Sequence, residues 1–172
     1  EALWRRQEKL VGQIRSAFSG VVLGDGIGLF EGDAIDDMGD DESMRRKARE
    51  KDERHSWESL SVDDLTRYYY ALCFTDAAGF RFLIPAFMLA ELDFSLSDPT
   101  VINLSGIRDD PYNQYTKLSS AQLETIIAFL ELFRDDPDED VFHENIKRAL
   151  EEFWRPRLHE QKRAEQGVDL NP

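Results

Sequence analysis

Leu3, Leu10, Val11, Ile14, Ala17 and Phe18 recur at helical spacing through an otherwise charged stretch. They predict an amphipathic helix over Ala2 to Ser19, closed by Gly20. A wider apolar face, formed by Leu123, Ile126, Ile127, Leu130 and Phe133, predicts a central core helix beginning at Ser119. Ser119 with Gln122 has the spacing of a capping box and Leu118 with Leu123 that of a hydrophobic staple. Asp135-Asp136-Pro137 stops that helix. A last helix is expected from Asp138 to Arg155, with Phe142, Ile146, Ala149, Leu150 and Phe153 on one side. Pro156 should end or kink it, and the polar tail after about Glu160 should fray. A further helix starts at Ser61, where Ser61 and Asp64 form a box and Leu60 staples to Leu65. Leu65, Tyr69, Leu72 and Cys73 then share its apolar side.

Elsewhere the helical period breaks. Gly24, Gly26 and Gly28 alternate through Val21 to Leu29 and favour turns. From about Glu31 to Arg54 the chain reads as a solvated helix, interrupted at Gly39, with an acidic first half and a basic second half that suit the helix dipole. Asp41 with Arg45, Glu42 with Arg46 and Glu50 with Arg54 have the spacing of helical ion pairs. Phe74-Thr75 and Phe80-Arg81-Phe82 flank Asp76-Ala77-Ala78-Gly79, which reads as a β-hairpin with a four-residue turn. Pro85 then opens a short apolar helix, Ala86 to Leu92. Asp98 to Ile107 reads as a third strand, with a short helix as its alternative. The expected fold is α+β and mostly α-helical. Five or six helices surround one core with a small antiparallel β-hairpin of two or three strands. Residues 1–160 form a single globular domain and 161–172 a flexible tail.

Composition narrows the function. With 41% hydrophobic residues among 172, the chain is too apolar for disorder. Its 35 acidic residues against 21 basic ones give a net charge of −14, which repels a phosphate backbone and attracts basic proteins. No nucleic-acid partner is therefore expected. No apolar run is long enough for a membrane span, so no membrane partner is expected either. The single cysteine, Cys73, makes no internal disulfide, and the charged amino terminus carries no signal-peptide pattern. The expected compartment is the cytoplasm. Cys73 sits in an apolar run and reads as a packed core thiol.

Known chemical motifs fail one by one. The glycine segment has Leu29 where a dinucleotide fingerprint needs its third glycine, and Asp25 disfavours phosphate, so it reads as a structural turn. The acidic run Glu31 to Glu42 lacks calcium-loop spacing. His143-Glu144 has Lys147 where a zinc-protease helix needs its second histidine. Tyr68-Tyr69-Tyr70 cannot all share one helical face; Tyr69 reads as core, and an exposed Tyr68 or Tyr70 would hint at a protein interface.

Val22 to Glu31 with Ala34-Ile35-Asp36-Asp37, Asp76 to Phe87, and Leu118 to Gln122 leading into Phe129-Leu130 together resemble an uncharacterised bacterial domain family. The resemblance spans about Phe18 to Phe133 and implies a compact domain without an assigned activity, so no catalytic residue follows from it. Two functional expectations remain. The first is a non-enzymatic module that binds a basic protein through Asp36, Asp37, Asp40, Asp41 and Glu42; its narrower form is an immunity protein that occludes a basic bacterial toxin. The second is an enzyme or ligand-binding domain that gathers Asp25, Glu31, Asp36 and Asp37, beside Arg81, with a divalent metal as an option. Neither expectation calls for an organic cofactor.

Overall fold

The computed structural model describes residues 3–38, 41–93, 95–96, 99–106, 113–136 and 142–167. Among these residues every regular element is a helix and there is no strand. The elements are α1 (Leu3–Ala17), α2 (Leu29–Met38), α3 (Glu42–Arg49), α4 (Val62–Arg67), α5 (Ala77–Leu92), α6 (Pro99–Ser105), α7 (Ser120–Arg134), α8 (His143–Ala149) and α9 (Arg155–Glu165). Two 3₁₀ segments, Trp57–Ser59 and Tyr69–Phe74, flank α4, and a π-helical turn, Leu150–Trp154, joins α8 to α9. The residues fall into two compact units: Glu1–Ala17 with Val101–Asp109 and Leu118–Pro172, and Phe18–Thr100 with Asp110–Lys117.

The first unit is built from amphipathic helices. Leu10 and Ile14 of α1 are buried, as are Leu123, Ile126, Phe129 and Leu130 of α7. The capping box forms as its spacing predicts: the Gln122 amide donates to Ser119 Oγ at 3.3 Å, and the Ser119 amide donates to Gln122 Oε1 at 3.1 Å. The buried Gln122 side chain also donates to the Ala17 carbonyl at 3.0 Å, closing the end of α1. Pro156 does not end the last helix. The π turn just before it widens the backbone, which accommodates a residue that lacks an N–H and crowds the preceding turn. The segment read as a tail is helical as far as Glu165. That carboxylate accepts from the Ser120 amide at 3.0 Å and from Ser120 Oγ at 2.6 Å, capping α7 from outside its own element. Trp154, fully buried, donates its indole N–H to the Leu104 carbonyl at 2.9 Å.

The second unit overturns the α+β expectation. No hairpin forms at Phe74 to Phe82. Phe74 ends a 3₁₀ segment, and Asp76 is the N-cap of α5, its Oδ1 accepting from the Gly79 amide at 2.8 Å. An Asp that opens a β-turn and an Asp that caps a helix place their side chains alike, so the four residues alone fit both. The following run is buried nearly all round, from Phe80 to Met88, and therefore shows no helical period. Pro85 lies inside α5 rather than at its start. The expected third strand is also helical over Pro99–Ser105, while Asp98 and Ile107 lie outside the described residues.

Two further expectations change here. The helix from Ser61 is capped as predicted, the Asp64 amide donating to Ser61 Oγ at 3.1 Å, but it tightens to 3₁₀ geometry after Tyr68. At three residues per turn Tyr70 and Cys73 stand above one another and both face outward. Tyr69 is also exposed, so neither it nor Cys73 is a core residue.

Candidate functional site

The glycine turn, α2 and α3 form the polar part of the second unit. Gly24 sits in the left-handed region at φ 59°, which allows the turn to reverse. Arg54 then holds the turn from both directions: its carbonyl accepts from the Leu23 amide at 2.9 Å, and its guanidinium donates to the Gly24 carbonyl. Gly28 occupies the position before α2 where a capping side chain would normally stand. A β-carbon there would lie 2.3 Å from Asp52 Cγ, because the Asp52 carboxylate fills that space and accepts from the Phe30 amide at 2.7 Å. A residue distant in sequence thus caps α2. Burial raises the Asp52 carboxyl to about 6, against the lowering effect of the backbone amides it accepts from.

Glu31, in the first turn of α2, is buried. It is clamped by α3: Arg49 donates through Nε at 2.8 Å and Nη2 at 2.5 Å, and Arg45 through Nη2 at 3.1 Å. Burial pushes its carboxyl up, but the two guanidiniums more than offset this and hold Glu31 below its ordinary value. The turn also docks on the start of α5. Asp76 Oδ1 accepts from the Ile27 amide at 3.0 Å as well as from Gly79, and a β-carbon on Gly79 would lie 1.9 Å from the Ile27 carbonyl oxygen.

These contacts separate the carboxylates of the metal-binding expectation. Asp25 is exposed in the glycine turn, Glu31 is spent on two arginines, and Asp36 and Asp37 are exposed on the last turn of α2. Among the described residues no group of three or more His, Cys, Asp or Glu is placed to hold a metal ion. The partner-binding set is also distributed. Asp36 and Asp37 lie on α2. Asp41 caps α3, its Oδ1 accepting from the Ser43 and Met44 amides at 3.0 and 3.1 Å, and Glu42 lies 3.8 Å from Arg49 and 4.0 Å from Arg45. Asp40 lies outside the described residues. Arg45, expected to pair with Asp41, turns to Glu31 instead.

Missed by the sequence reading is the surface where α2 meets the 3₁₀ segment. Gly32 of α2 lies against the Ala71 carbonyl, and Phe30 meets Tyr68 edge-on at 5.4 Å between ring centroids. Next to Tyr68, the Tyr69 and Tyr70 rings lie 4.0 Å apart between centroids, tilted by 36°, while remaining 39% and 58% exposed. Asp33 is raised by partial burial and by the charges of Asp37 and Asp36, with Arg67 opposing. Arg67, just before the tyrosines in the chain, is therefore within electrostatic reach of this acidic stretch of α2. The signal in the sequence was the Tyr68-Tyr69-Tyr70 run itself, since three consecutive positions cannot all be buried by one helix.

A model of a family of unknown function matches residues 6–158. The chain belongs to this family, DUF6714. Comparison with curated proteins and with solved structures found no match. Membership of DUF6714 bears out the resemblance to an uncharacterised family and extends it beyond Phe18 to Phe133 at both ends. In this DUF6714 chain the blocks that carried the resemblance hold backbone together: the glycine turn docks on Asp76 and Gly79, and Ser119 with Gln122 caps α7. No helix among the described residues is long and apolar enough to cross a membrane.

Proposed function

We propose that this DUF6714 chain is an acidic protein-binding module whose partner is basic. The observation that carries this reading is the exposed Tyr69–Tyr70 pair on the 3₁₀ segment that packs against α2, the helix that bears the carboxylates of Asp33, Asp36 and Asp37. Tyrosine is enriched at the centre of protein interfaces, where a large rigid ring is buried at little entropic cost. Carboxylates around such a centre steer a basic partner and raise its rate of encounter. The net charge of −14 acts in the same direction at longer range.

The narrower form of the proposal is an immunity protein that covers the basic active site of a bacterial toxin and excludes its substrate. The product of the neighbouring gene tests it directly. Binding at low salt, weakened by added salt and by Asp36→Asn with Asp37→Asn, supports the reading. A neighbouring product that is not retained at low salt removes the immunity form. A retained product that ignores both the salt and the substitutions removes the charged face from the account.

A further inference from the structure

One open depression of the second unit gathers three guanidinium groups. It is lined by Gly24, Asp25, Arg46, Arg49, Glu50 and Arg54. Arg46 and Arg49 stand three residues apart on α3 and share one side of that helix. Arg54 reaches the same place from the segment after α3, and the backbone of the glycine turn forms the opposite wall.

Two of the three guanidiniums are already fixed. Arg49 is anchored on the buried Glu31 through Nε and Nη2, and Arg54 on the Gly24 carbonyl. Each guanidinium carries five N–H donors, so both keep donors beyond those anchors. Their ordering cost is met in the folded chain rather than on binding. Arg46 is exposed at the rim and free to close on a ligand. We infer that this depression is a binding site for a phosphate group, held by Arg46, Arg49 and Arg54. A guanidinium matches a phosphate in planar, paired hydrogen bonds, and a dianion gains most from three of them. Asp25 weighed against phosphate when only its sequence neighbours were visible. In the fold, three arginines line the depression together with Asp25 and Glu50, and one of the three, Arg49, is paired with the buried Glu31. The inference is independent of the partner-binding face.

The test is an NMR titration of the full chain with inorganic phosphate and, separately, with phenyl phosphate, at constant physiological ionic strength set by chloride. The expected result is saturable shifts at Gly24, Asp25 and Arg46 with at least one probe. Tighter binding of phenyl phosphate assigns the site to phosphate esters, and tighter binding of the free ion assigns it to inorganic phosphate. Arg46→Gln alters an exposed side chain and weakens binding by about tenfold or more, the loss expected for a charge-assisted pair. Lys47→Gln, on the same helix but outside the depression, leaves binding unchanged. Shifts that do not saturate with either probe overturn the inference. So does an equal loss from Lys47→Gln, which would show diffuse charge rather than a site.

Discussion

Each unit contains one buried tryptophan that donates its indole N–H to a carbonyl at 2.9 Å: Trp154 to Leu104 in the first, Trp57 to Phe18 in the second. The surroundings of the two differ in kind. In the first unit α1 and α7 bury apolar faces spread along the sequence, and Ser119, Gln122 and Glu165 close their ends. In the second, backbone approaches backbone where side chains are missing: Gly28 leaves the space that the Asp52 carboxylate fills to cap α2, and Gly79 lies against the Ile27 carbonyl. The comparison teaches that a helical chain can be specified in two ways. One is a pattern spread over many residues; the other is a small number of steric and polar constraints that tolerate little change.

Glycine substitutions break this comparison most sharply. Gly79→Ala drives a β-carbon into the Ile27 carbonyl oxygen, and we expect a loss of about 3 kcal/mol in urea unfolding as the turn separates from α5. A variant of wild-type stability would show that the turn does not dock there. Glu31→Gln comes next. It leaves Arg45 and Arg49 only their longer contacts to Glu42, and because both guanidiniums reach solvent the expected cost is about 2 kcal/mol rather than the full value for a buried pair. A cost near zero would make the clamp dispensable.

Gly12→Ala is the counterpart in the first unit. Nothing lies within 4 Å of the added carbon in α1, so helix propensity alone acts and should stabilise by about 1 kcal/mol. Destabilisation there would contradict the description of α1 as a patterned, tolerant helix. A pH slope gives a further test, independent of any steric change. The Asp52 carboxyl is raised to about 6 in the fold, against about 3.9 in an unfolded chain. The folded state therefore holds the proton more tightly. The stability this group contributes is complete below about 4 and is lost as pH rises through about 6. Asp52→Asn keeps an acceptor for Phe30 and removes the titration, so urea midpoints should vary less between those pH values than in the wild type. An unchanged slope would assign the titration elsewhere.

The same contrast explains what could be read from the sequence. Ser119 with Gln122, Ser61 with Asp64 and the apolar face of α7 were legible because their partners lie within one or two turns. Asp76-Ala77-Ala78-Gly79 misled because a cap and a turn share their first residues, and the buried α5 erased the period that would have separated them. Asp52 was invisible as a cap, since Gly28 and Asp52 meet only in three dimensions. At the candidate sites, Asp36 and Asp37 were legible as exposed carboxylates. The exposed side of Tyr69 and Tyr70 depends on the change to 3₁₀ geometry, which the sequence does not announce. The arginine-lined depression was hidden for a different reason: residues read as a solvated helix face turned out to border the glycine turn.

On the reading proposed above, the second unit meets a basic protein through its acidic, tyrosine-bearing face. Site-specific photo-crosslinking in the cells that make the protein tests it most directly, with the photoreactive residue at Tyr70 and, for comparison, at the exposed Arg163 of the first unit. The account predicts a discrete adduct with a basic protein from position 70 that fades with Asp36→Asn and Asp37→Asn. An adduct equally strong from position 163, or one indifferent to those two substitutions, would contradict it.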